Sequence, residues 1–142
     1  MLETSPLQQR DPQAVAHYTQ LLTKLKHEVH GVISVTLVSA DGLTVASTLT
    51  DAHEAARLSA MSGSISALAS ALARETDHGS PERLILESSQ GLILTMNVPA
   101  NNHDMVLTVV TSRATLLGKL LWSCSAAVQS LSNVSQPVPA TA

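Results

Sequence analysis

Sixteen consecutive uncharged residues between Arg57 and Arg74, LSAMSGSISALASALA, constrain this fold more than any other segment. The large apolar side chains in this segment recur every three or four residues, which is the spacing of one face of an α-helix. They are Leu58, Met61, Ile65, Leu68 and Leu72. We therefore expect a helix here, with its large apolar face against the hydrophobic core.

The opposite face of this predicted helix carries only small, uncharged side chains. It consists of Ser59, Gly63, Ser66, Ala67 and Ser70. A helix face in contact with water normally carries Lys, Glu or Arg, often paired four residues apart. Small residues at this spacing instead let a second backbone approach closely. We interpret this small-residue face as a surface on which another polypeptide docks.

Composition narrows the class of protein. The 142 residues suit one domain, and 44% are hydrophobic whereas 13% are charged, which argues against disorder and favours a surface partly covered by a partner. Tyr18 and Trp122 are the only aromatic residues, and the formal net charge is -3. Because the chain has neither a basic patch nor a stacking platform, we expect no nucleic-acid partner.

The sequence gives no indication of membrane contact. The N-terminal segment, MLETSPLQQRDPQ, has no basic stretch leading into an apolar run and no lipidation motif. The uncharged segment is too short and too rich in Ser to cross a bilayer, which takes about 20 mostly apolar residues. We expect a cytoplasmic protein that does not bind membranes.

Capping and turn signals divide the chain into eight elements. Asp11 and Pro12 are typical of a helix start, and Gly31 of a helix end. The expected order is a helix from Pro12, strands 32–39 and 43–49, a helix from about 51 to 76, strands 83–88, 92–98 and 105–111, and a helix 113–131. This order predicts an α+β domain at 12–131 with flexible tails at 1–11 and 132–142.

The last predicted helix carries a second apolar stripe, which we expect in the core. It consists of Leu116, Leu117, Leu120, Leu121, Cys124, Val128 and Leu131. Cys124, the only cysteine, is expected to be buried and structural. Trp122 lies on the opposite side of this helix. We expect it to contact the first helix, with exposure towards a partner as the alternative.

The sequence lacks a recognisable catalytic or metal-binding motif. His27 and His30 are three residues apart near a helix end, but the zinc pattern H-E-x-x-H is not met, and we expect both in solvent. No Ser lies in a G-x-S-x-G motif, and there is no Gly-rich phosphate loop. The sequence therefore predicts a protein that is not an enzyme and has no metal or cofactor.

The stretch GVISVTLVSADGLTVAST, followed directly by EAARLSAMSGSISALASALA, resembles the roadblock family. The resemblance covers about residues 13–131, and it is carried mainly by 31–45 with the turn Ser39-Ala40-Asp41-Gly42. It implies a five-stranded antiparallel sheet in the order 2-1-5-4-3. The first and last helices would lie on one face of this sheet and the middle helix on the other.

The resemblance also implies a function. Roadblock proteins form homodimers, or heterodimers with a related domain, in which the third strands pair and the middle helices lie side by side. The paired middle helices commonly receive a Ras-like small GTPase, and some members promote GTP hydrolysis without a catalytic residue of their own. Two other functions stay open: a profilin-like or PAS-like small-molecule sensor, and a structural adaptor that ignores nucleotide state.

The charges of the third predicted strand allow it to pair with its own copy. If two strands align antiparallel about Ile85, then Arg83 lies opposite the second copy's Glu87. Opposite charges facing one another contribute about 0.2 to 1 kcal/mol per pair. The alternative explanation for these two charges is that they prevent aggregation at an exposed edge of the sheet. We predict that Arg83, Ile85 and Glu87 lie at the dimer interface.

Overall fold

The computed structural model describes residues 11–100 and 103–134. In chain order, the elements are α1 (Pro12–Glu28), β1 (Val32–Ser39), β2 (Thr44–Ser47), α2 (Ala52–Glu75), β3 (Arg83–Ser88), β4 (Gly91–Val98), β5 (Met105–Thr111) and α3 (Leu117–Ser132). The predicted order of elements is confirmed. The predicted tails fall almost entirely outside the described residues. None of the helices in the described ranges is long and apolar enough to cross a membrane.

The five strands form one antiparallel sheet in the order β2-β1-β5-β4-β3. This is the order that the resemblance implied, and the α+β class is also confirmed. Among the described residues, strand β3 pairs only with β4, so its other side is an edge of this sheet. The β1–β2 hairpin turns at Gly42, whose φ of 82° is readily adopted only by glycine.

The starts of α1 and α2 follow the capping signals of the sequence. Asp11 accepts a hydrogen bond from Gln13 N at 2.9 Å, with Pro12 in the first turn of α1. Asp51 accepts hydrogen bonds from the backbone N–H groups of His53 and Glu54. Both side chains satisfy N–H groups that a helix start leaves free.

Helix α3 starts at Leu117, four residues later than expected. The preceding residues form a turn in which Ser112 Oγ accepts from Ala114 N at 3.2 Å and Thr115 Oγ1 donates to the carbonyl of His30 at 2.9 Å. As a result, Leu116 and Leu117 are exposed, and their predicted place in the core is wrong. The other apolar side chains of the stripe are buried or half-buried.

One face of the sheet carries the hydrophobic core. Large apolar residues from the three central strands meet in rows across this face: Val35, Val109 and Leu94 in one row, and Leu37, Leu107 and Met96 in the next. Helices α1 and α3 cover these rows. Their buried side chains include Tyr18, Leu22, Leu25, Leu120 and Leu131. Most of the buried hydrophobic residues in the described ranges belong to this one cluster.

The other face of the sheet is lined mainly by hydroxyl-bearing and smaller side chains, and α2 packs on it. Its central row runs from Ser47 through Thr36 and Thr108 to Thr95. Thr36 Oγ1 and Ser47 Oγ lie 2.9 Å apart. Because side chains alternate between faces along a strand, every second residue of the core strands lies on this face. Helix α2 lies mainly over β1, β2 and β5.

Candidate functional site

Helix α2 turns its small-residue face towards its own sheet. Ser59 is fully buried, and its Oγ lies 2.7 Å from Thr44 Oγ1 on β2. A Cβ atom placed on Gly63 would lie 2.8 Å from the Cα atom of Gly42 in the β1–β2 turn. The orientation predicted from the sequence is therefore wrong. Close approach of a second backbone does occur at these residues, but that backbone belongs to the same chain.

The rest of the small-residue face is turned only partly towards the sheet. Ser66 and Ser70 are half-buried, and Ala67 is exposed at the side of the helix. Ser59 is fully buried against the chain's own hairpin and is not accessible to another polypeptide, whereas Gly63 is half-buried.

The physical reason for this orientation lies in the sheet face that α2 covers. The hydroxyl row centred on Thr36 and Thr108 offers Ser59 and Ser62 a surface of similar size and polarity. Large apolar side chains would hold α2 farther from the sheet and break the hydrogen bond between Ser59 and Thr44, which is costly. The small residues therefore pack inwards.

The large apolar residues of α2 consequently lie on its outer side. Met61, Leu68 and Leu72 expose 62%, 69% and 67% of their surface, while Leu58 and Ile65 are half-buried at its flank. We call these five residues the apolar α2 face. The helical stripe predicted from the sequence is present, but it faces away from the core. Three large side chains exposed together on one helix indicate a contact surface for another protein.

The apolar α2 face continues to the edge strand of the sheet. A groove of about 410 Å³ runs between Ile65, Leu68 and Leu72 of α2 and Leu84 of β3. Leu84 pairs with Thr95 and Leu86 with Ile93 in the β3–β4 ladder. Leu84 and Leu86 therefore belong to the sheet face that α2 covers.

The predicted edge residues lie on the other side of β3. Arg83, Ile85 and Glu87 are exposed, and they alternate with the leucines along the strand. Ile85 pairs with Leu94, which places it on the face that α1 and α3 cover. All three residues are thus accessible on an edge strand, as self-pairing requires.

The side chains weighed for catalysis are inert or isolated. Burial raises the pKa of the Cys124 thiol to about 12, so the thiol stays protonated at neutral pH, when only a thiolate would be an effective nucleophile. His27 and His30 are exposed, as expected. Within the described ranges, no three His, Cys, Asp or Glu side chains are grouped closely enough to hold a metal ion.

Trp122 is 71% exposed, so the expected cover by α1 is absent. The indole lies on the outer side of α3, away from the buried Cys124 and Leu120. The Lys119 Nζ atom lies 5.3 Å from the centre of its ring, within the range of a cation–π contact. The alternative considered for Trp122, exposure on the surface, is the observed one.

Sequence reasoning missed the outward orientation of the apolar α2 face, although a signal for it exists. Strands β1, β4 and β5 each alternate large apolar residues with Ser or Thr near their centres, as in Val35-Thr36-Leu37, Leu94-Thr95-Met96 and Leu107-Thr108-Val109. The alternation shows that only one sheet face can hold a large apolar core. A helix on the other face needs small residues at its contact.

Comparisons with known proteins agree with this architecture. The model of the Roadblock/LC7 domain family matches residues 18–111. The chain belongs to this family. No curated protein is significantly similar to the chain in sequence.

Several solved structures resemble this Roadblock/LC7 chain. The Roadblock/LC7 domain from Streptomyces avermitilis has a TM-score of 0.73 at 21% identity, covering 80% of this chain and 92% of that one. MglB from Myxococcus xanthus has a TM-score of 0.74 at 14% identity, covering 93% and 92%. The gliding protein MglB from Thermus thermophilus has a TM-score of 0.75 at 14% identity, covering 87% and 92%. At these identities the likeness concerns the fold.

Proposed function

We propose that this Roadblock/LC7 chain is a dimeric regulatory protein without catalytic activity, and that it binds a Ras-like small GTPase through paired α2 helices. The observation that carries the proposal is the apolar α2 face, where Met61, Leu68 and Leu72 are each more than 60% exposed. Such a surface is favourable only when another protein removes it from water. Membership in the roadblock family suggests which partners these are.

The first partner in this proposal is a second copy of the chain. Strand β3 is an edge, and the groove beside it is lined by Ile65, Leu72 and Leu84. Antiparallel pairing of two β3 strands about a two-fold axis would bring the two α2 helices alongside each other on one face of a continuous sheet. The flanks of the helices would then cover each other's apolar residues.

The register of this pairing can be tested by charge reversal. Alignment about Ile85 places Arg83 opposite the second copy's Glu87 at both ends of the strand pair. Glu87→Arg should therefore weaken the dimer, and Arg83→Glu in the same chain should restore it. Both residues are exposed, so the folded protomer should tolerate either change. Sedimentation equilibrium measures the dimer constant, and an unchanged constant for Glu87→Arg would eliminate this register.

The second partner in this proposal is the GTPase. Met61 and Leu68 lie about 180° around the helix from Ser59, taking 100° per residue, so they point away from the sheet. If the second copy covers the flank at Ile65 and Leu72, then Met61 and Leu68 remain available for another protein. We propose these two residues, with their counterparts in the second copy, as the centre of the GTPase contact.

The experiment that tests this function is binding to the GTPase encoded nearest to the gene, loaded with GDP or with a GTP analogue. We expect binding to depend on the nucleotide. Met61→Lys, at a residue that does not line the groove beside β3, should lower affinity at least about tenfold without changing the dimer mass. The matched control is Gln20→Lys, at an exposed position of α1 on the other face of the sheet. Equal binding in both nucleotide states indicates an adaptor, and no binding indicates a sensor.

A further inference from the structure

The outer side of α2 has an acidic side chain at each end of its apolar centre. The residues of this line follow one another at intervals of seven: Glu54, Met61, Leu68 and Glu75. Taking 100° per residue, they lie within about 60° of one another around the helix, and the two glutamates are about 30 Å apart along it. All four are exposed. The apolar α2 face is thus bounded by a carboxylate at either end.

Neither glutamate is held by a cation of its own chain. The ion pair between Lys24 and Glu28 on α1 is the only one among the described residues. Glu75 is the last residue of α2, where the negative end of the helix dipole makes a negative charge unfavourable. Glu75 therefore does not stabilise its own helix, and its carboxylate is available to another molecule.

Charge is distributed unevenly between the two sides of the sheet in the described chain. Acidic residues outnumber basic ones along α2 and at its ends: Asp51, Glu54, Glu75 and Asp77 against Arg57 and Arg74. Basic residues outnumber acidic ones along α1 and the segment 113–132: Lys24, Lys26, Arg113 and Lys119 against Glu28. The surface of α2 is therefore negative, whereas the helices on the other side of the sheet are positive.

The symmetry of the proposed dimer would bring the acidic ends of two helices together. A two-fold axis perpendicular to the continuous sheet makes the neighbouring α2 helices antiparallel. Glu54 of one copy then lies at the same end of the paired surface as the second copy's Glu75. Arg57 is also exposed on this side, and it reduces the negative charge of each end without cancelling it. The paired surface would carry carboxylates at both ends of an apolar centre.

We infer that the GTPase proposed above has a matching surface, in which an apolar patch lies between Lys or Arg side chains that contact Glu54 and Glu75. Opposite charges at the rim of an interface attract the partner during diffusion and fix its orientation. The apolar centre, with Met61 and Leu68, supplies most of the affinity. The inference rests on the proposed function, because it specifies the chemistry of the partner at the same site.

The association rate constant measures this contact, because charges at the rim act mainly on association. The probe is the GTPase encoded nearest to the gene, loaded with the nucleotide that supports binding and followed by biolayer interferometry. For the natural sequence, the rate constant should fall about tenfold as NaCl rises from about 50 to about 500 mM. Glu54→Lys combined with Glu75→Lys should lower it about tenfold at the low salt concentration and have little effect at the high one.

A conservative variant and a matched control accompany this double variant. Glu54→Gln combined with Glu75→Gln should lower the rate constant about threefold, since it removes the carboxylates without reversing their charge. This variant also carries the test if charge reversal disturbs the dimer in sedimentation equilibrium. The matched control is Glu28→Lys, which makes the same charge change on α1, at the other side of the sheet. It should change the rate constant by less than about twofold, because solvent screens the distant charge.

Two results would overturn the inference and leave the proposed function in place. One is nucleotide-dependent binding whose association rate does not change with salt. The other is a rate constant that is as high, or higher, for the Glu54→Lys, Glu75→Lys variant as for the natural sequence, which would assign an uncharged or acidic rim to the GTPase. Absence of binding in both nucleotide states would instead overturn the proposed function, and this inference with it.

Discussion

The two faces of the sheet are built from the same strands, yet they hold their helices in different ways. On one face Leu37, Leu107 and Met96 form an apolar row under α1 and α3. On the other face, one residue along in each strand, lies the hydroxyl row with Thr36 and Thr108 under α2. The first face gains stability from apolar burial, and the second from close approach and hydrogen bonds.

The difference explains why α2 is the helix that presents a contact surface. Its inner side matches a sheet face of small, polar residues, so its large residues Met61, Leu68 and Leu72 are left outside. Helices α1 and α3 instead bury most of their large residues. A helix that packs through small residues can reserve its apolar side for another protein.

The strongest test of this contrast is Leu107→Ala on the apolar face. Leu107 is fully buried at the centre of β5, and removing its side chain should lower the free energy of unfolding by about 2 to 5 kcal/mol. Leu68→Ala on the outer side of α2 is the matched control and should cost less than about 0.5 kcal/mol. Urea unfolding of both variants in dilute solution measures the difference. Similar losses would contradict the contrast between the faces.

Gly63→Val tests the close approach on the hydroxyl face. A Cβ atom there would lie 2.8 Å from the backbone of Gly42, so α2 or the hairpin must shift. We expect a loss of about 1 to 3 kcal/mol in the free energy of unfolding. Gly118→Val in α3, where a Cβ atom would meet nothing within 4 Å, is the matched control, because it makes the same change in helix propensity. If both variants lost the same free energy of unfolding, α2 would not pack tightly at Gly63.

Thr108→Val tests whether the hydroxyl row is uniformly favourable. Thr108 Oγ1 is buried without a hydrogen-bond partner in the described part of the chain, so its replacement by a methyl group should stabilise the fold by about 1 kcal/mol. Thr36→Val, which removes the 2.9 Å contact with Ser47 Oγ, should destabilise it by about the same amount. Opposite signs in thermal unfolding are the expected result. A loss of stability in both variants would show that the Thr108 hydroxyl also has a hydrogen-bond partner.

The smallest expected effect on stability is that of Leu72→Glu. Because Leu72 is 67% exposed, the change should alter the unfolding free energy of the isolated protomer by less than about 0.5 kcal/mol. The same change should abolish the proposed α2/β3 dimer, which sedimentation equilibrium can follow. If the free energy of unfolding fell by more than about 2 kcal/mol in dilute solution, Leu72 would belong to the core, as the sequence pattern alone predicted.

Local signals in the sequence predicted most of the fold. Asp11 and Asp51 begin their helices as expected, because capping depends on residues two or three positions away. The bounds of β1, β3 and β5 match the expected ones, since strand signals and turn residues are adjacent in sequence. The start of α3 was missed because the turn before it depends on Thr115 bonding to His30, 85 residues earlier.

The candidate site was predicted less well than the fold. The five residues of the apolar α2 face were identified as one helical stripe, but they were assigned to the core. Ser59 and Gly63 were assigned to a partner, whereas they contact Thr44 and Gly42 of the same chain. The roles of Arg83, Ile85 and Glu87 stay predictions, although their exposure on an edge strand is compatible with them.

The residue pattern of α2 is enough to establish a helix with one large apolar face and one face of small residues. Which of these faces turns inwards depends on the tertiary structure. Helical periodicity distinguishes two faces of a helix but contains no information about the surface that each face meets. That surface is assembled by the register of β1, β4 and β5, which aligns Thr36, Thr108 and Thr95 from distant parts of the chain.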